Sequence, residues 1–325
     1  MATPSETWNK YRMRPLCRLL PALSLFCAAA TAVAQEWPVR PLRLIVAEAA
    51  GGAPDTAARA LASRLAPVLG QKVSVEDIPD TGADVAARAR PDGYTYLLAS
   101  ASLLAIDAYL VNVLDYSPED DFAPVAMIGT APFALAAIPA LSVNSLRELI
   151  ALAKTEPDKL ALANPGRLTL AGMLGALLRN RARIDLRRVA FKGGEDLLAG
   201  RTHLIILPVS AIAPAVGRGQ LRALAVSSAQ RIPEWPGVGT FSETFPGFEF
   251  NNWYMLVAPT GTPPQVIRRM NLEANRALLD ADIGQILRGV GIYTEGSDTP
   301  DKLEAFLGSE RQFWFRVVRE LKLEP

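Results

Sequence analysis

The sequence predicts an α/β protein of two lobes, the first of them discontinuous along the chain. Three observations carry this. Short β-rich runs alternate with stretches of helical apolar spacing, the pattern of parallel sheets flanked by helices. Once a 34-residue leader is set aside, 291 of the 325 residues remain. That is large for a single hydrophobic core, so two domains are expected. Finally, two apolar runs, Pro132–Ile138 and Trp253–Ala258, are long enough to be strands and are punctuated by Pro139 and Pro259. If both cross between lobes, residues 35–138 and 253–325 form the first lobe and 139–252 an inserted second one. Two crossing strands make a hinge, and hinged α/β lobes close around ligands.

The elements follow in order. Leu42–Ala47 reads as a buried strand. Pro54–Leu69 has apolar residues at Ala57, Leu61, Leu65 and Val68, one face of a helix, with Pro67 near its end and Gly70 closing it. Lys72–Glu76 and Tyr94–Ala99 are further strands. Ser145 to Glu148 is a capping box ahead of Leu149, Ile150 and Ala153. Leu168–Leu178 reads as a helix and Leu204–Leu207 as an apolar run. Thr262 to Gln265 is a second capping box, with proline at the first helical position. Thr299-Pro300 opens a last helix whose apolar stripe is Leu303, Phe306, Phe313, Trp314, Val317 and Leu321. There is no internal repeat and no low-complexity segment.

The leader is an export signal. Lys10, Arg12, Arg14 and Arg18 form a basic start, Leu19–Ala30 is an apolar run, and Ala32-Val33-Ala34 is a small-x-small exit before Gln35. Met13 as the start would make the basic region more compact, and a retained anchor is the alternative to cleavage. Cleavage after Ala34 is expected to place the protein outside the cytoplasm. Both cysteines, Cys17 and Cys27, lie in the leader, so the mature chain has no disulfide, thiolate metal site or cysteine nucleophile. The leader takes four of the 34 basic and one of the 33 acidic residues, leaving 30 against 32. A net charge of −2 implies no nucleic-acid face.

The inventory for catalysis is thin. His203 is the only histidine, and it precedes an apolar run, so a structural or surface role is the plain reading. There is no Gly-x-Ser-x-Gly elbow, no P-loop and no His/Glu metal spacing, so neither a catalytic residue, a metal nor a cofactor is expected. The stronger signal is a set of glycine turns after strands. Glu48-Ala49-Ala50-Gly51-Gly52 precedes a helix opening at Pro54-Asp55. Asn164-Pro165-Gly166-Arg167 and Phe191-Lys192-Gly193-Gly194 repeat the theme in the second lobe. Glycines let backbone N–H groups approach a ligand, and a helix N-terminus favours an anion. Ordinary turns of an α/β protein are the competing explanation.

The chain resembles the Bug family, the periplasmic substrate-binding proteins of tripartite tricarboxylate transporters. The likeness covers essentially the whole mature chain. It rests on Gly219 to Ser228 with Arg231, Pro233, Pro236 and Val238; on Pro91 to Thr95; on Asp121 to Val125; on Trp253 to Pro263; and on the opening Trp37-Pro38-x-Arg40-Pro41-Leu42-Arg43. The resemblance implies a two-lobe periplasmic-binding-protein (Venus flytrap) fold, no catalysis, and delivery of a small solute to membrane permease subunits; a monomer without cofactor is expected. Family ligands are carboxylates, including di- and tricarboxylates, acidic amino acids and aromatic acids.

The departures from the family pattern fall where the ligand should sit. The usual first loop, Pro-Phe-Pro-Pro-Gly-Gly-x-x-Asp, is here Ala47 to Asp55, with Glu48 in the aromatic position. The usual Asn-Arg-Pro-Gly-Ala-Gly-Gly stretch is Asp77 to Ala83, the Gly-Asn-Gly-Ser/Thr loop is shortened to Asn164–Thr169, and a ligand-fixing aspartate corresponds to Leu207. The expected ligand-binding residues are Glu48, Ala49, Ala50, Gly51, Gly52, Asp55, Ser100, Ser102, Asn164, Gly166, Arg167, Thr169, Lys192 and Gly193. The ligand is a small carboxylate or an amino acid. An amino acid is expected if Glu48 and Arg167 both face the cleft, a cationic or neutral solute if Glu48 alone does, and no bearing on binding if Glu48 points to solvent. The alternative function is a sensor or interaction protein with a remodelled cleft, presenting itself to a membrane signalling partner. An exported hydrolase is disfavoured by the missing nucleophile constellation.

Overall fold

The computed structural model describes residues 37–191, 201–294, 296 and 298–323. The leader, Lys192, Gly193 and Gly194 lie outside the described residues. Strands β1 (Leu42–Val46), β2 (Val73–Asp77) and β3 (Thr95–Ser100) pair in parallel, with β1 in the middle. β9 (Asn251–Pro259) then pairs antiparallel with β3, and β4 (Phe122–Ala137) antiparallel with β9. β4 is 16 residues long and serves both sheets. Its first part, through Pro132, pairs with β9; its last part, Phe133–Ala137, pairs with β7 (Leu204–Pro208) and β8 (Arg222–Val226). β5 (Ala161–Asn164) lies between β6 (Arg187–Ala190) and β7, parallel to both.

Pro132–Ile138 is therefore the far half of a longer strand, and the passage between sheets falls at Pro132/Phe133. Pro124 and Gly129 hid the first half from a reading by pattern. They sit beside register shifts that let a twisted strand bend without ending. Trp253–Ala258 behaves differently from expectation. It pairs along its length within the first sheet, so the chain crosses back before it.

Helix α1 (Ala53–Leu69) ends at Gly70 in the left-handed region, and α2 is Gly82–Ala87. A five-residue π-turn, Ser102–Ile106, leads into α3 (Asp107–Leu110). Helix α4 (Leu146–Thr155) starts as expected: Ser145 Oγ accepts from Glu148 N–H at 3.2 Å, while Glu148 accepts from Asn144 N–H at 2.8 Å. The remaining helices are α5 (Leu170–Ala182), α6 (Val209–Gly217), α7 (Pro264–Leu278), α8 (Ala281–Gly289) and α9 (Pro300–Glu320). The second capping box does not form. Thr262 is buried and its hydroxyl donates back to Pro259 C=O at 2.7 Å, leaving Pro263 at the cap of α7.

Helix α9 buries Leu303, Leu307, Trp314, Val317 and Val318. Glu310 on the same helix accepts from both Trp253 Nε1 (2.7 Å) and Trp314 Nε1 (3.1 Å). Burial raises its pKa, and the two indole donors act against that rise. Trp314 also packs edge-on against Phe250, which packs edge-on against Phe133. This aromatic chain seats the last helix on the joint between the sheets. Among the described residues no helix is long and apolar enough to cross a membrane.

Candidate functional site

Strand direction decides where the glycine turns meet. In the first sheet Val46 lies opposite Leu98, and Ser100 opposite Tyr254. β1 ends at Val46, and Glu48, two residues on, leaves the sheet close enough to the end of β9 for its charge to reach Tyr254. The loop after β1 and the turn after β3 thus leave one edge together, at the end of β9 marked by Asn251 and Asn252. Those two pair with Pro132 and Ala131, the residues at which β4 passes to the second sheet. In the second sheet Ala163 lies opposite Ile205, and Pro208 opposite Phe133. The loop after β5 therefore also leaves toward the joint. The carboxyl edges of both sets of parallel strands face the same junction, where ligands of open α/β sheets bind.

The first loop is built around Asp55. Its carboxylate is buried, accepts from Gly51 N–H at 2.8 Å and pairs with Arg59, which also holds Asp77. Asp55 is thus a brace for the loop rather than a free contact. Gly51 takes φ +84°, so Ala49, Ala50 and Gly51 stand exposed at the tip. From below, α2 closes in: a Cβ on Gly82 would lie 2.9 Å from Ala47 Cα.

Glu48 sits at this edge with much of its area open to water, yet its pKa is raised by desolvation. The two observations agree for a side chain in a concave place, where area remains but the solvating volume is cut. Its charge is felt by Tyr254, whose pKa rises mainly by burial and then by Glu48, against a lowering hydrogen bond from Asn252. Among the described residues no cation pairs with Glu48. Ser100 is buried and Ser102 half-buried, at the start of the π-turn. Asn252 Oδ1 accepts from Ala101 N–H at 3.3 Å and so holds the β3 turn against β9. Asn252 and Tyr254 belong to this edge although nothing in their spacing announced it. Their place depends on an antiparallel partner 150 residues away.

The second-lobe loop is more committed than expected. Asn164 Oδ1 accepts from Gly166 N–H at 3.0 Å. Thr169 caps α5: its hydroxyl accepts from Gly172 N–H at 3.1 Å and donates to Gly166 C=O at 2.8 Å. Arg167 donates to Lys322 C=O at 2.7 Å, just beyond α9. The bidentate partner expected opposite Glu48 is therefore turned elsewhere, drawn by the free carbonyls past a helix end. His203 is internal to the second sheet, its Nδ1 accepting from Ala161 N–H at 3.0 Å.

Two α/β sheets sharing a long strand, with the parallel strands' carboxyl edges turned to the joint, define the two-lobe fold of periplasmic binding proteins. Comparison with known proteins agrees. The family model described as tripartite tricarboxylate transporter family receptor matches residues 57–323, and the chain belongs to that family. Protein BugT of Bordetella pertussis is 34% identical over 319 residues, spanning 94% of this chain and 98% of that protein. The structure of R. palustris Rpa4515 with adipate matches with TM-score 0.74 at 27% identity, over 89% of this chain and 100% of the other. MatC from Rhodopseudomonas palustris with bound malate matches with TM-score 0.68 at 28% identity, over 87% and 100%. A structure described as that of periplasmic binding protein BugD also matches, with TM-score 0.71 at 28% identity, over 89% of this chain and 99% of the other.

Proposed function

We propose that this protein is the periplasmic solute-binding component of a tripartite tricarboxylate transporter, holding a small carboxylate-type solute between its lobes and delivering it to membrane permease subunits. The supporting observation is the convergence of both sheets' carboxyl edges on the joint at Pro132/Phe133. Neighbours solved with adipate and malate support the solute class. Export with cleavage after Ala34 and a monomeric mature chain belong to this reading. So do two lobes, the first ending near Pro132 and resuming near Asn251, as the pairing of β4 and β9 supports.

The site residues are those of the two loops and the β3 turn, with Asp55, Asn164 and Thr169 bracing backbone donors and Glu48 facing the solute. Asn252 and Tyr254 join them. With Arg167 engaged at Lys322, the end of the solute beside Glu48 is neutral or cationic, as in an amino acid or an amide-bearing acid. A thermal-shift screen of carboxylates, amino acids and amines against the exported chain tests this, followed by calorimetry on each hit. Stabilisation by a monocarboxylate or amino acid is expected. A panel in which nothing raises the melting temperature and nothing gives binding heat would remove the solute-carrier reading.

A further inference from the structure

The C-terminal end of α5 and the start of β6 carry Arg179, Arg181, Arg183, Arg187 and Arg188 against Asp185 alone. In a mature chain with more acidic than basic residues, this is a local reversal of sign. Next to it, α4, the end of α5 and residues 244–245 enclose a concavity of about 300 Å³. Four cations line it, Arg147, Lys154, Arg181 and Arg183, and no acid does. Its apolar wall is Ile150 and Phe245. Arg147 donates to Glu243 C=O, and the Glu243 carboxylate is already forked by Arg231 at 2.8 and 2.7 Å. Arg181 reaches Glu320 only at 3.5 Å, and among the described residues Lys154 and Arg183 have no ion pair. Arg183 is the left-handed residue (φ +51°) that closes α5, and it lines the concavity from there. Helix C-termini favour cations and account for Lys154, Arg181 and Arg183, but not for Arg147, which lines the same concavity from the first turn of α4.

We propose that this concavity docks an acidic segment of a protein partner. Guanidinium forks match carboxylates in pairs, and the Ile150–Phe245 wall fits an apolar neighbour in the same segment. A membrane surface is flat and does not fill a concavity between two helices, so the observations favour a peptide segment over lipid headgroups. The proposal is independent of which solute the protein carries. Such a surface lets a membrane partner recognise the carrier by steered encounter.

The test uses the full exported chain and a fluorescent glutamate-rich peptide bearing one leucine, at low ionic strength. R181Q/R183Q removes two charges from the concavity. R268Q/R316Q removes the same charge from exposed positions elsewhere. Peptide affinity should fall about tenfold in the first variant and little in the second, as local complementarity requires. The solute-induced thermal shift should be the same in both, which also shows both are folded. Equal weakening in the two variants, or no peptide binding by the wild type, would overturn the proposal. So would wild-type binding to phosphatidylglycerol vesicles, but not to the peptide, that R181Q/R183Q abolishes.

Discussion

On the proposed reading, Glu48 sets the charge the site accepts. A carboxylate brought within about 4 Å of another repels it by about 1 kcal/mol in water and by several times that where water is thinned. Desolvation already raises the Glu48 pKa, so its ionised form is held without compensation. Glu48→Gln should therefore strengthen succinate binding about fivefold or more near neutral pH, read by calorimetry. Lowering the pH through the raised Glu48 pKa should strengthen succinate binding in the wild type more than in Glu48→Gln. Equal affinities and parallel pH profiles would place Glu48 outside the site. Asp107 gives a second prediction. It is half-buried after the π-turn, and burial pushes its pKa from 3.8 to about 6. A folded state that binds this proton more tightly is stabilised at low pH, and that stability disappears as pH rises from about 4 through about 6. Asp107→Asn should then gain on the order of 1–2 kcal/mol near neutral pH and nothing near pH 4. Urea unfolding at the two pH values measures the difference, and an equal effect at both would refute the assignment.

At the scale of the element, the β5–α5 loop depends on a residue outside it. A Cβ on Gly172 would lie 1.9 Å from Gly166 C=O, so the first turn of α5 and the loop occupy space only glycine leaves. Alanine is a better helix former, yet Gly172→Ala must displace the loop or the helix end. A net loss of about 1–3 kcal/mol is expected from overpacking, less a gain of up to about 1 kcal/mol in propensity. The solute-induced thermal shift should shrink more than the melting temperature falls. A variant with an undiminished solute shift would show that Asn164–Thr169 takes no part in binding. The loop's glycine theme was visible in the sequence. Its dependence on Gly172 was not, because that contact is set by how α5 packs back over its own entry.

At the scale of the whole molecule, the two sheets are joined where Ser227 lies. Its hydroxyl accepts from Phe133 N–H at 2.8 Å and donates to Asn251 Oδ1 at 2.9 Å. Its backbone donates to Phe133 C=O and accepts from Phe250 N–H. One buried serine thus links the outgoing strand, the end of β8 and the returning chain. Ser227→Ala leaves the Phe133 N–H without its partner in a dry place and should lower stability by about 1–3 kcal/mol in urea unfolding. An unchanged midpoint would mean that the joint relaxes around the loss. If the lobes close on a solute, the same variant should also change the solute affinity, since the hinge is the element that bends.

Local pattern was enough for the strand-then-helix order, the Ser145 cap of α4, the buried stripe of α9 around Leu303, Trp314 and Val317, and a structural or surface role for His203. These follow from periodicity and short-range hydrogen bonding, which a chain carries wherever it folds. The altered loops from Ala47 to Asp55 and from Asn164 to Thr169 were legible only through the family resemblance. Only the tertiary structure decided that β4 runs on through Pro132 into a second sheet, that β9 stays wholly in the first, and that Asn252 and Tyr254 stand beside Glu48. It also decided that Asp55, Thr169 and Arg167 spend their polar atoms on the loops and on Lys322. A side chain's partner is chosen among all donors and acceptors that folding brings near it. Tyr254 near Glu48 and Lys322 at Arg167 come from a strand and a helix end more than 150 residues distant, beyond the reach of any local pattern.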